Sequence, residues 1–106
     1  MTATGELKYR LVLEAPVETA DGAGGVTRGY ATVETLWASL EPVADRVDTA
    51  ADGSGAVVTH HIIIRAGPDV TTLHRFRLGS RIFRVVAQRE LEDGRFLLVH
   101  AEERTD

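Results

Sequence analysis

Cysteine is absent from the 106 residues, which rules out disulfides and every thiolate metal site and fits a reducing compartment. Long apolar runs are missing as well. Ile62-Ile63-Ile64 is far short of the roughly 20 residues that a membrane-spanning helix needs. Met1 to Glu6 has no basic run followed by an apolar stretch, so no secretory signal is expected. Serine occurs only at Ser39, Ser54 and Ser80, none of them in a Gly-x-Ser-x-Gly elbow, so nucleophilic catalysis lacks a starting point. Gly22-Ala23-Gly24-Gly25 has neither the lysine nor the following helix of a phosphate loop. The acidic pairs Glu90/Glu92 and Glu102/Glu103 sit beside polar turns or near the end of the chain. They are expected to be solvated and poor acid–base catalysts. No residue set argues for an enzyme, and no cofactor is implied.

The charge that is present is unevenly placed. The net charge is −4, yet residues 1–73 carry 5 basic and 10 acidic side chains, whereas Arg75, Arg77, Arg81, Arg84, Arg89 and Arg95 dominate residues 74–95. Overall acidity argues against a free nucleic-acid binder, whose domain is normally basic. The arginine stripe has two readings: a face that tracks a phosphate backbone, or one that pairs with acidic residues of a neighbouring subunit. Arginine favours protein interfaces and aromatic stacking residues are scarce in the stripe, so subunit pairing leads.

His60-His61 invites a metal reading. On a strand, adjacent side chains point to opposite faces, so this pair cannot chelate one ion. Partners such as His74 or His100 could come from other strands, but no ligand spacing supports a site, and no metal is expected.

Periodicity points to an all-β chain of one domain, residues 1–106, with an ordered core of about 7–102. Lys8 to Leu13 alternates, with Tyr9, Leu11 and Leu13 on one face. Glu14 to Gly29 reads as a glycine-bearing loop. Tyr30 to Leu40 reads as a strand whose apolar parity slips between Val33 and Leu36, which implies a bulge. Glu41 to Ala56 reads as a second long loop, with room for one short helix around Val43 to Ala50. Val57 to Ala66 is a strand with Val58, Ile62 and Ile64 on a shared face. His74–Leu78, Arg81–Arg89 and Phe96–Glu102 form a meander, joined by a Gly79-Ser80 type II′ turn and an Asp93-Gly94 type I′ turn. Six short strands without a sustained helical period imply a small barrel or sandwich with little interior left for a ligand.

A resemblance enters on ordered pieces of this pattern. They are Leu7-x-Tyr9-Arg10-Leu11-x-Leu13-Glu14, then Asp21-Gly22-x-Gly24-Gly25 and Tyr30, then Leu36-Trp37-Ala38-x-Leu40-x-Pro42. Thr59-His60-x-Ile62-x-Ile64-Arg65 and Phe76-Arg77-Leu78-Gly79-x-Arg81-x-Phe83-Arg84-Val85 follow. In this order they resemble the phage head–tail joining family, the head-closure or stopper proteins, in versions from alphaproteobacterial prophages or gene transfer agents. The resemblance implies a β-barrel with long loops, working as a homo-oligomeric ring between the portal and adaptor side and a tail terminator or other tail proteins. It implies a role in retaining packaged DNA, which passes through the channel, and a place in a particle assembled in the bacterial cytoplasm with no membrane involved.

On that reading Arg75, Arg77, Arg81, Arg84 and Trp37 are candidate interface residues. Trp37 is expected in the core or at the barrel mouth ahead of an interface anchor. Asp45, Arg46, Asp48 and Asp52 are candidates for a channel-facing loop. The alternative function is a small nucleic-acid-binding barrel that uses the arginine face.

Overall fold

The computed structural model describes residues 7–49 and 55–104, and it is antiparallel β-sheet throughout, with no helix among the described residues. Its strands are β1 (Tyr9–Ala20), β2 (Val26–Thr49), β3 (Gly55–Arg65), β4 (Arg75–Leu78), β5 (Arg81–Leu91) and β6 (Phe96–Arg104). They pair in the order β1-β2-β3-β6-β5-β4, and β4 returns to β1 to close the barrel. Closure removes open edges, which would otherwise template aggregation, from the barrel wall.

Alternation sets the core. Leu11 and Leu13 of β1, Ala38 of β2, Val58, Ile62 and Ile64 of β3, Phe76 of β4, Phe83 of β5, and Val99 and Ala101 of β6 are all fully buried. Each large side chain among them contributes roughly 1.5–3 kcal/mol by leaving water. Phe76 and Phe83 face each other directly across β4 and β5. Val70, from the segment joining β3 to β4, packs into the same cluster. β3 and β4 lie on opposite sides of the ring, so this connection crosses the end of the barrel, where Val70 acts as its plug.

The expected bulge is present. Leu13 faces Glu34 and Glu14 faces Thr32, which leaves Val33 as an extra residue on β2. The first turn also follows the sequence. Gly79 has φ 61 between the facing residues Leu78 and Arg81, the sign that a type II′ turn requires. The turn at Asp93-Gly94 is longer than the expected two residues. Glu92, Asp93 and Gly94 all have positive φ, Gly94 N–H donates to the Leu91 carbonyl at 3.1 Å and Arg95 N–H to the Glu92 carbonyl at 3.2 Å, so residues 92–95 join the facing pair Leu91 and Phe96.

Two expectations are corrected. Glu14 to Gly29 is not a loop: β1 continues to Ala20 and pairs residue by residue with β2 down to Val26, closing on a short turn. Inside that turn Asp21 accepts from the N–H groups of Ala23 and Gly25, and these bonds hold its carboxylate below the ordinary range. The segment after Pro42 is likewise strand and not helix. Arg46 to Thr49 of β2 pairs with Val58 to Gly55 of β3, after an irregularity between Pro42 and Arg46. The rest of the expected loop, 50–54, lies outside the described residues.

Both hairpins extend past the barrel. β4 reaches β1 only over Val12–Glu14, and β3 reaches β2 only from Ala38 onward, so the β1–β2 arm above these points is two strands alone. β2 runs down through the wall and supplies one strand to each hairpin. The arms therefore leave from opposite ends of the barrel, and the molecule measures 52 × 30 × 26 Å.

Candidate functional site

The outer face of β4 and β5 carries most of the arginine stripe, because Phe76 and Phe83 take the inward parity and their neighbours must face out. One row of directly facing residues runs Glu14, Arg75, Arg84 and Glu102 through β1, β4, β5 and β6. Glu14 is only 6% exposed. Its two oxygens accept from Arg75 Nε at 2.7 Å and Arg77 Nε at 3.0 Å. Burial alone would raise the Glu14 pKa, but the hydrogen bonds and charges of Arg77 and Arg75 outweigh it and hold the carboxyl below its ordinary value. Arg84 Nη2 reaches Glu102 at 3.2 Å. Arg75 also lies over the Tyr30 ring, 3.6 Å from its centre, which packs the root of the arm against β4.

Arg81 does not belong to that face. It shares the parity of Phe83 and sits at the opposite mouth of the barrel, where it donates twice to Glu103, at 2.7 and 3.1 Å. The hydrogen bond from Arg81 is the main cause that keeps Glu103 below the ordinary carboxylate range. Beside them His60 lies 3.8 Å from Glu103 and edge-on to Phe83, with ring centres 5.1 Å apart. Thr59 Oγ1 accepts from the Glu103 N–H at 2.7 Å and is 2.9 Å from His60 Nδ1. This polar cluster closes the end of the barrel away from Val70.

The four candidate arginines thus divide into an outer set, Arg75, Arg77 and Arg84, and a mouth residue, Arg81. Each already has a carboxylate partner in its own chain, and any partner across an interface would have to share that guanidinium. Glu102 and Glu103, expected to be solvated, are instead part-buried partners of Arg84 and Arg81, and Glu14 was not singled out from sequence. Glu14 could have been, since continuing the alternation of β1 one step past Leu13 places it on the outer face.

Trp37 is not in the core. It is 52% exposed on the outer surface, opposite Arg10, whose guanidinium lies 4.9 Å from the indole centre. Leu36, Ala38 and Leu40 take the inward positions of β2 instead. Asp45, Arg46 and Asp48 fall in the strands of the second hairpin, and Asp52 lies outside the described residues. His60 points in and His61 points out, as alternation requires. His61 faces His100 across β3 and β6 with ring centres 4.8 Å apart, and no group of three or more metal-ligating residues forms among the described residues.

A closed barrel with a filled interior, two projecting hairpins and an ion-paired outer wall defines a small all-β domain. Residues 2–104 match the phage head completion protein family, and the chain belongs to it. Its role is accordingly structural, in head closure, and it is not an enzyme. A chain in the virion of a native gene transfer agent particle is similar at 32% identity with a TM-score of 0.68, over 92% of this protein and 96% of that chain. Protein SF1141 from Shigella flexneri 2a shares the fold, with a TM-score of 0.72 and 22% identity over 96% of both chains. No curated protein is similar enough to match.

Proposed function

We propose that this protein is the head-closure connector of a tailed phage or a gene-transfer-agent-like particle. In this reading copies assemble as a ring between the portal or adaptor and the tail proteins, and the ring helps to retain packaged DNA. The observation that carries the connector role, beyond family membership, is the pair of hairpins leaving opposite ends of one barrel. A subunit built this way contacts the layer above and the layer below through separate elements while the barrel acts as the spacer. Similarity to a chain of a gene transfer agent virion supports a place in the particle; in this reading the particle is assembled in the bacterial cytoplasm.

Ring closure needs two different complementary patches on each subunit. The acidic first part of the chain and the outer arginine face are such a pair, with exposed Trp37 as an aromatic anchor. The second hairpin, with Asp45, Asp48 and Asp52 against Arg46, is the channel-facing element. Repeated around a ring, its acidic charge repels phosphates and discourages DNA from sticking. The rival reading, a free nucleic-acid-binding barrel, is weakened by the overall acidity of the chain, and Glu14 and Glu102 already offset two of the three charges on Arg75, Arg77 and Arg84.

Deletion of the gene tests the proposal. Filled heads that lose DNA and carry no tails, rescued by supplying the protein to purified heads, are the expected result. Intact tailed particles in the deletion strain would overturn it.

A further inference from the structure

Arg75 and Arg84 are direct cross-strand neighbours, the placement in which two like charges destabilise a sheet. The adjoining row adds Arg77, Ile82 and Arg104. The carboxylates sit at the flanks: Glu14 holds Arg75 from the β1 side and Glu102 holds Arg84 from the β6 side. Both arginines border a cleft of about 200 Å³ lined by Tyr30, Arg75, Ile82, Arg84 and Arg104. Three cationic side chains line it and no acidic one does. Tyr30 and Ile82 supply apolar walls, and the Tyr30 ring fixes the plane of Arg75.

We propose that this cleft is a carboxylate-binding site that takes an acidic side chain from a partner protein. Glu14 is bonded through the Nε of Arg75 and Glu102 through the Nη2 of Arg84, so both forks keep N–H donors for a second anion. An entering carboxylate is bracketed by two cations and relieves their repulsion, while its methylene stem lies against Tyr30 and Ile82. Two features favour a protein ligand over a nucleic acid. The cleft admits a side chain but not a duplex. Arg75 covers one face of Tyr30, where a base would otherwise stack. The choice of a protein ligand rests on the head-closure reading, whereas the anion site itself does not.

The test is a titration of the free protein with a hexaglutamate peptide at low salt, following the arginine Nε–H resonances by NMR. Saturable shifts at Arg75 and Arg84, with Arg10 and Arg28 unmoved, are expected. Arg84→Gln and, separately, Arg104→Gln should each weaken binding up to about fivefold, the upper range for a surface ion pair, with Arg10→Gln as the unchanged control. Absence of a saturable shift, equal shifts at Arg10, or wild-type binding by both variants would overturn the site. Tighter binding of a short single-stranded oligonucleotide to the same arginines would overturn the protein ligand in favour of nucleic acid. None of these readouts depends on particle assembly, so failure of the site and failure of the head-closure reading are separable.

Discussion

Glu14 and Arg75 lie 61 residues apart in the chain and meet at 2.7 Å where the β1–β2 arm leaves the barrel. The same carboxylate binds Arg77, so one nearly buried anion ties β1 to two arginines of β4. β4 is only four residues long, and this link supplements its short ladder to β1.

Replacing Glu14 with glutamine keeps the shape but removes the charge that both arginines face. Arg75 and Arg77 are partly solvated, so the cost falls below that of breaking a fully buried pair, at about 1–2 kcal/mol. Urea denaturation at neutral pH should show this loss as a lower midpoint with an unchanged slope. A midpoint equal to wild type would mean that the link is replaced by solvent without cost.

Stability should fall in two steps as pH is lowered. Burial chiefly holds His60 below its ordinary pKa of 6.5, with Glu103 opposing and Arg81 assisting. The unfolded chain therefore takes up the proton first. The His60 contribution is complete above 6.5 and is lost as pH falls from there through the folded pKa. Glu14 and Glu103 are depressed below 4.5, so their contribution is complete above that value and is lost as pH falls through their folded pKa values. Denaturation midpoints measured against pH for wild type and His60→Leu check the assignment. The variant should flatten the upper step and keep the lower one, and an unchanged upper step would assign it to other groups.

The barrel was legible in the sequence where one face of a strand is dry and the other wet. Leu11 and Leu13, Val58, Ile62 and Ile64, and the Phe76–Phe83 pair all announce themselves by alternation, and the Gly79 turn follows from its dipeptide, whereas Asp93-Gly94 gives the place of its turn but not its length. The arms were not legible. Past Glu14 both faces of the two-stranded arm meet solvent, so Pro16, Glu18, Arg28 and Gly29 show no alternation, and the glycines favour a loop reading. Trp37 was misplaced because its bulk suggested the core, although parity with inward Ala38 places it outside. The ion pairs were hidden for a different reason. Which carboxylate meets which arginine depends on strand order around the ring, and β4 closing onto β1 is not a local property of either segment.

Trp37 offers a clean separation of stability from assembly. Half of it is solvated, so Trp37→Ala should change the unfolding free energy by less than about 1 kcal/mol, far below the 3–5 kcal/mol typical of a buried aromatic. If Trp37 anchors a neighbouring subunit or tail protein, the same variant should be poorly incorporated into particles despite folding normally. Quantitative incorporation at wild-type levels would remove Trp37 from the interface.

The second hairpin carries the most consequential prediction, because its two possible roles fail differently. Removing the Val47–Thr49 end of β2 takes away pairs outside the barrel ladder and keeps Val58 and the rest of the buried core in place. Replacing residues 47–54 by a short glycine linker that joins the strands should therefore alter barrel stability little, since a tight connection costs modest closure entropy. If the hairpin lines the channel, particles built with the shortened protein should package DNA and then leak it. Nuclease protection of the packaged DNA after purification measures this directly. If the hairpin instead docks a tail protein, heads should remain full and protected while tails fail to join, as counted by electron microscopy. Particles that hold their DNA, carry tails and deliver it normally would assign neither role to the hairpin. A separate reversal, Asp45→Lys with Asp48→Lys, distinguishes bulk from charge: leakage caused by shortening but not by reversal would mean that the hairpin retains DNA by occupying the channel. Slowed DNA exit in the reversed variant alone would mean that its acidic side chains keep the passage from adhering to phosphate.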